Sequence, residues 1–522
     1  MIVPRSQKAP AFRVVWMALG LLIAACSCQA APTAEPATAQ PPAISTPTQT
    51  VLPTILPSAL EPTACRAGGY SSRMKCYDLV VPELHGVLNG RTLRLHVAVY
   101  EATAPERVSD PVLFLMGGPG APGIDAFAGV GQDFSPFDGR RDVVVLDQRG
   151  TGASAPMLGC PEYRDFLKED RTKDRSSAES TTLALDAYRA CHDRLVSEGV
   201  DLSAYTNAEI AADVEDLRSA LGVERWNLFG WSYGTRIALT IMRDYPQGVR
   251  SVVLDSVYPP RVDPQVELAR NTQTTLRRLF DRCAADARCN EAFPQLEKVF
   301  YELLDELDAN PVVAAGTIVT GDRFLDLVMS LLFDPYAIYQ LPKLIYDAHN
   351  GNNTLLISKA LYVFGDDDSF AEGMELSVDC GDEIRFISPS AMATGAAGVD
   401  PHLVDYLEGD AQLYFGTCAF WGAREAPAIE TAPVVSNIPA LLLAGDIDPF
   451  TPPEWARLTA TTLSQSQVAE FPGLGHGLFL ADFMTNSCVS QLVDDFLDDP
   501  SAALDTKCVD EFSAQPPGFV TK

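Results

Sequence analysis

Basic side chains are scarce in this sequence of 522 residues: 39 Lys and Arg stand against 69 Asp and Glu, a formal net charge of −30. Such a surface repels nucleic acid phosphates and anionic lipid headgroups, so no nucleic acid partner is expected. Histidine is also sparse. Only His85, His96, His192, His349, His402 and His476 occur, and none lies in a His-Glu-x-x-His pattern. There is no Cys-x-x-Cys pair and no phosphate-loop lysine. These absences argue against a metal centre or a phosphate loop, and no cofactor is expected. The apolar run from Val14 to Ala25 is short for a membrane span. No internal repeat is visible, and no aromatic residue occurs between Gln29 and Ala64.

What is there begins with an export signature. Arg5, Lys8 and Arg13 precede the apolar run and small residues follow it, as in a secretory signal spanning residues 1–25. The run ends Leu22-Ile23-Ala24-Ala25-Cys26, which resembles a bacterial lipobox whose cysteine becomes the lipid-bearing first residue of the mature chain. Cleavage near Ala30 without a lipid is the alternative. Removing three cations takes the charge to −33. Residues 26–64, with eight prolines between Gln29 and Ala64, read as an extended tether, so globular sequence is expected from Cys65 onward. Contact with a membrane is then expected only through Cys26.

Twelve cysteines are present, and ten remain beyond Cys26 and Cys28. An even number in an exported chain argues for disulfides. Spacing suggests neighbours: Cys65 with Cys76, Cys160 with Cys191, Cys283 with Cys289, Cys380 with Cys418, and Cys488 with Cys508.

Strand-length apolar runs alternate with amphipathic helical stretches from about residue 92 to 257, the rhythm of a mostly parallel sheet flanked by helices. Leu93–Glu101 alternates like a half-exposed strand. Val112–Met116, Val143–Leu146, Trp226–Phe229 and Val252–Leu254 read as buried ones. The sequence then turns helical, as in Val266–Cys283 and Leu296–Leu307, until strands return at Ala440–Ala444 and near Val468–Phe471. A last helix is expected over Val489–Leu497. The predicted division is a core in two parts, 65–258 and 436–522, with a mainly helical cap inserted at 259–435.

The chemistry is concentrated in three places. Gly230-Trp231-Ser232-Tyr233-Gly234 is a Gly-x-Ser-x-Gly motif between a short apolar strand and a helix, where a tight turn needs small flanking residues and exposes the Ser232 hydroxyl. This is the nucleophile elbow of an α/β-hydrolase fold. A serine needs an imidazole to take its proton, and of the six histidines His476, in Leu474-Gly475-His476-Gly477, comes late enough in the chain. The acid that orients it should follow a C-terminal strand. Asp448 is preferred over Asp446, with Asp255, at the end of the Val252–Leu254 strand, a rival. An oxyanion needs amide donors; Tyr233 is one, and Gly118 of Met116-Gly117-Gly118-Pro119-Gly120 is the other, with Gly117 in reserve because Pro119 has no amide.

These motifs, with Asp147-Gln148-Arg149-Gly150-Thr151-Gly152-Ala153-Ser154 and Gly445-Asp446-Ile447-Asp448-Pro449-Phe450-Thr451-Pro452, resemble those of the proline iminopeptidase and tripeptidyl aminopeptidase group over most of residues 75–500. The resemblance implies a triad of Ser232, Asp448 and His476 and an oxyanion donor at Gly118. Many proline iminopeptidases have His before the glycine loop where this chain has Met116, which leans towards the exported tripeptidyl branch. Arg149 is expected to brace neighbouring loops. The family also uses acidic cap residues to hold the substrate's amine, and Glu383, then Asp382, in Val378-Asp379-Cys380-Gly381-Asp382-Glu383 fit that role.

The expected activity is an exported serine aminopeptidase acting on short peptides through an acyl-enzyme. A carboxylesterase or lipase with the same triad, acting on a small ester, is the alternative, because the triad does not fix the scissile bond. A tethered binding protein with a dead site is the third reading, which three intact motifs oppose.

Overall fold

In a computed structural model, the residues described are 59–65, 74–87, 90–128, 137–314, 316–334, 337–365, 367–479, 488–514 and 518–521. The expected signal, Cys26 and the tether up to residue 58 lie outside them. Nine strands make one sheet: β1 Ala59–Thr63, β2 Met74–Pro82, β3 Thr92–Tyr100, β4 Val112–Leu115, β5 Val143–Leu146, β6 Trp226–Trp231, β7 Val249–Asp255, β10 Ala440–Gly445 and β11 Ser466–Phe471. Their order is β1-β2-β3-β5-β4-β6-β7-β10-β11. Strands β1, β2, β3 and β5 pair antiparallel, and every pairing from β5 onward is parallel.

The parallel centre follows from composition. Strands β4, β5 and β10 are buried along their whole length, as a sheet covered on both faces requires. Alternate residues feed two different cores. Leu113, Val144, Leu228, Val252 and Leu442 face the helices Asn207–Ala220 and Tyr233–Asp244. Phe114, Val145, Phe229, Val253 and Leu443 face the helix Cys488–Asp498.

The sequence reading places two chain segments wrongly. The described structure already includes Ala59–Thr63, ahead of the expected start at Cys65, because this segment pairs with β2 as an edge strand. Pro62 is tolerated there, since an edge strand leaves one side without ladder partners. At the other end, Phe519 is buried in a core of the inserted region and the Val520 N–H donates to the Tyr339 carbonyl at 2.9 Å, so residues 518–521 pack on the insert although the helix Lys507–Ala514 before them packs on the sheet.

The segment between β7 and β10 is helical apart from a hairpin, β8 Val312–Ala314 with β9 Thr317–Val319. Its first half has its own core, built on Leu276, Phe300, Phe324 and Leu344. Its second half packs instead on the sheet domain, where Met374, Val378 and Trp421 join the core that contains Leu195 and Tyr233. The five disulfides join the neighbours suggested by spacing. Cys380–Cys418 fastens the acidic turn 379–383 to the helix Pro401–Trp421. Each such bridge stabilises a fold of this kind by about 2–4 kcal/mol.

Arg149 acts as a brace. It is fully buried, donates to both oxygens of Asp213 at 2.7 Å, and donates to the carbonyls of Glu83 at 2.8 Å and Ala204 at 2.5 Å. His85 closes the network, with Nδ1 at 2.6 Å from Glu209 and Nε2 at 3.2 Å from Asp216. Burial disfavours its cation, but the hydrogen bonds to Asp216 and Glu209 prevail and raise it to about 9. Protonated His85 therefore stabilises the fold fully below its unfolded value near 6.5, and that contribution is lost as pH rises through about 9. Urea unfolding of the wild type should lose on the order of 2–3 kcal/mol more than the His85→Gln variant between those pH values. Parallel pH profiles for the two proteins would show that the network is not coupled to His85.

Candidate active site

Ser232 sits between β6 and the helix Tyr233–Asp244 with φ 56° and ψ −123°. A non-glycine residue in this region stores about 1–3 kcal/mol of strain. The flanking glycines make the turn possible: a Cβ on Gly230 would lie 2.6 Å from the Gly234 carbonyl oxygen, and one on Gly234 would run into the Leu115 carbonyl. The Ser232 N–H donates to the Asp255 carbonyl at 2.9 Å, and its own carbonyl accepts from the Thr235 N–H at 2.8 Å and hydroxyl at 2.7 Å.

Of the two glycines that follow β4, Gly117 presses on the nucleophile; a Cβ there would lie 2.9 Å from Ser232 Cβ. Gly118, at φ +113°, bends the loop into a cis peptide with Pro119. Gln148 steadies it by donating to the Met116 carbonyl at 2.9 Å.

Asp448 follows β10 and His476 follows β11, so two adjacent parallel strands deliver them side by side. His476 Nδ1 is 2.9 Å from Asp448 Oδ2, and both side chains are buried. The other Asp448 oxygen accepts the N–H groups of Phe450 at 2.9 Å and Thr451 at 3.0 Å. Burial raises the Asp448 carboxyl, but the His476 charge and these hydrogen bonds outweigh it and hold the group below the ordinary carboxylate range. A carboxylate kept ionised and hydrogen-bonded to Nδ1 fixes the imidazole tautomer with Nε2 free to accept a proton.

Sequence reasoning assigned no role to Thr451. Its hydroxyl donates to Asp448 Oδ2 at 2.6 Å and lies 3.1 Å from His476 Nδ1, so it sits in the hinge of the acid and base pair. The available signal was its place three residues after the aspartate, where a turn returns a side chain onto the carboxylate. Around the imidazole, the rings of Phe333, Phe450 and Trp231 lie at 4.7, 5.8 and 6.3 Å. Phe333 comes from the inserted region and meets the imidazole edge-on.

The two rival acids have other work. Asp446 accepts the Gly473 N–H. Asp255 accepts the N–H groups of Leu478 at 3.0 Å and Phe479 at 2.8 Å, and so holds the loop behind His476 rather than the imidazole. Burial, partly offset by these two amides, raises it to about 6.

Asp382 and Glu383 differ in their surroundings. Asp382 is almost fully buried and accepts the Asn207 N–H at 2.7 Å, while the Tyr233 hydroxyl donates to the Asn207 side chain at 2.6 Å. It ties the acidic turn to the elbow helix, and burial pushes it up to about 7. Glu383 keeps a buried oxygen, Oε1, with no hydrogen-bond partner. Burial raises its carboxyl against the pull of the Arg236 charge and the Tyr258 hydroxyl.

Three substitutions separate these roles. Asp448→Asn should lower kcat by roughly 10³–10⁴-fold with little change in unfolding free energy. Thr451→Val should lower kcat by about 10–100-fold while KM moves little, since a positioning contact acts on the reacting geometry. Asp255→Ala leaves two buried amides unpaired and should cost about 2–4 kcal/mol in urea unfolding. If Asp255→Ala instead behaved as Asp448→Asn does, the two aspartates would have to exchange roles.

The pattern of the alpha/beta hydrolase fold family matches residues 110–371, and that of the TAP-like protein family matches residues 406–508. The serine protease Hip1 of Mycobacterium tuberculosis is 24% identical over 472 residues, covering 84% of this chain and 88% of that one. The putative hydrolase YuaR of Escherichia coli is 25% identical over 430 residues, covering 79% of this chain and 83% of that one. The tripeptidyl aminopeptidase of Streptomyces lividans is 29% identical over 200 residues, covering 36% of each chain. The chain belongs to the alpha/beta hydrolase fold family and is a serine hydrolase with peptidase relatives.

Proposed function

We propose that this protein is an exported aminopeptidase whose triad is Ser232, His476 and Asp448. Ser232 Oγ attacks the peptide carbonyl as His476 Nε2 takes its proton. The oxyanion is held by the Tyr233 N–H and by an amide of the glycine loop, Gly118 or its neighbour Gly117. His476 returns the proton to the leaving amine, and water then releases the acyl group by the same steps in reverse. The orientation of His476 by Asp448 and Thr451, and the elbow strain at Ser232, support this chemistry.

The observation that carries the aminopeptidase reading is the unpartnered, buried Oε1 of Glu383. Electrostatically, Glu383 and Asp382 both act on Tyr233, the residue after the nucleophile, so the acidic turn is a neighbour of the elbow. An ammonium ion satisfies such a carboxylate, and leaving either group buried alone is costly. With Asp382 tied to Asn207, Glu383 is the principal receptor.

A peptide amide with a free amine should exceed its N-acetylated twin in kcat/KM by about 30-fold or more, and Glu383→Gln should narrow that gap. Equal cleavage of the two would transfer the protein to the esterase reading.

The lipobox and the disulfides support a surface location with Cys26 as the anchor. Mass analysis of the mature N-terminus should find a diacylglyceryl cysteine at Cys26; an unmodified terminus near Ala30 would mean secretion without an anchor.

A further inference from the structure

The acidic turn holds more negative groups than one ammonium requires. The helix Glu372–Val378 runs directly into the π-helical turn Asp379–Glu383, and Glu375, Asp379 and Glu383 follow one another at intervals of four residues along it. That interval is close to one turn, which stacks the three carboxyls on one side. Burial first, and then the nearby charges of Glu383 and Glu375, raise the Asp379 carboxyl well above the ordinary carboxylate range.

Neighbouring elements supply little positive charge in return. Arg236, buried under Tyr258, is the guanidinium that acts on Asp382 and Glu383, and its Nη2 is engaged with the Glu430 carbonyl. Glu372 is matched by Arg164 at 2.9 Å and Glu430 by Arg243 at 2.7 Å, so these two pairs are closed. Tyr258 faces Glu383, and Tyr414 faces Glu375. Asp263 adds a further negative charge near Glu383, and Asp410 adds one beside Tyr414. Among the described residues, none of Glu375, Asp379, Asp382 and Glu383 makes an ion pair with a Lys or Arg. Asp379 is only 7% exposed, and no hydrogen bond to its carboxylate is found.

We propose that Asp379 and Glu375 form a second cation subsite, which takes a lysine or arginine side chain of the peptide on the amine-bearing side of the scissile bond. The inference rests on the aminopeptidase reading for the direction in which the peptide lies. Glu383 takes the substrate's terminal ammonium, and the two carboxylates one and two turns before it take the second charge. An organic cation suits the site better than a metal ion, because the described residues include no group of three or more ligands arranged around a common metal position. A second cation on the substrate also gives Asp379 and Glu375 the opposite charge that no Lys or Arg pairs with them, which a neutral side chain cannot do.

The test uses tripeptide amides with a free amine, in which lysine or norleucine occupies each of the three positions in turn. The wild-type enzyme should prefer lysine over norleucine by about tenfold or more in kcat/KM at one position. In Asp379→Asn that ratio should fall towards one, and Glu375→Gln provides a second measurement should the first variant fail to fold. The same lysine and norleucine pairs in N-acetylated form read the second subsite independently of the amine. If acetylated peptides are cleaved as fast as free ones but lysine is still preferred, the aminopeptidase reading falls and the subsite stands. A lysine to norleucine ratio near one at all positions, or a ratio untouched in both variants, overturns the subsite whatever the amine requirement.

Discussion

The active site hangs on two consecutive residues at the end of β7. Asp255 receives the Ser232 N–H on its backbone carbonyl and the Leu478 and Phe479 N–H groups on its carboxylate. Ser256 receives the Gly477 N–H on its hydroxyl at 2.8 Å. Ser232 and the loop carrying His476 are therefore registered to the same point, although more than two hundred residues separate them in the chain. Both Ser232 and Ser256 adopt a positive φ, 56° and 60°, where adjacent strands end together. Strain at two neighbouring strand ends persists only where surrounding bonds over-determine the geometry, and here the bonds run from Ser232 to Asp255 and from the histidine loop to Asp255 and Ser256.

That arrangement explains what was readable from the sequence and what was not. The core strands were legible because Val112–Leu115, Val143–Leu146 and Ala440–Gly445 are apolar on both faces, a pattern that a covered parallel strand demands and a loop cannot satisfy. Ser232 and His476 were legible because few residues of their kind occur in a fitting context. Strand β1 was not legible, since Ala-Leu-Glu-Pro-Thr looks like the tether before it; its structure comes from pairing with β2, not from local preference. Asp448 and Asp255 could be ranked but not separated, because each follows a buried strand. Only the hydrogen-bond partners, imidazole for one and backbone amides for the other, distinguish them. Thr451 escaped notice because its role depends on a turn that folds its hydroxyl back onto both partners.

The second half of the inserted region belongs physically to the sheet domain. Met374, Val378 and Trp421 share a core with Leu195 and Tyr233, and Asp382 is bonded through Asn207 to the elbow helix. The first half keeps a core of its own and contributes Phe333 against the imidazole. The site is thus bordered by two differently supported parts of the insert: an acidic turn anchored to the elbow, and an aromatic edge carried by a separate helical cluster.

The acidic turn is the costliest element of this plan, and its surroundings show how the fold sustains it. Like charges four residues apart oppose a helix, and burying carboxylates without partners opposes folding further. A chain with net charge −30 has no need of interior acid for solubility, so surface requirements do not explain Glu375, Asp379 and Glu383. The fold offsets their cost locally. The disulfide from Cys380 to Cys418 restricts the turn in the unfolded chain, the Asn207 amide neutralises part of Asp382, and Arg236 lies beneath Glu383. Burial and the neighbouring carboxylates raise the Asp379 carboxyl well above its ordinary range, so its interior place favours the neutral form. A cationic guest would favour the charged form instead.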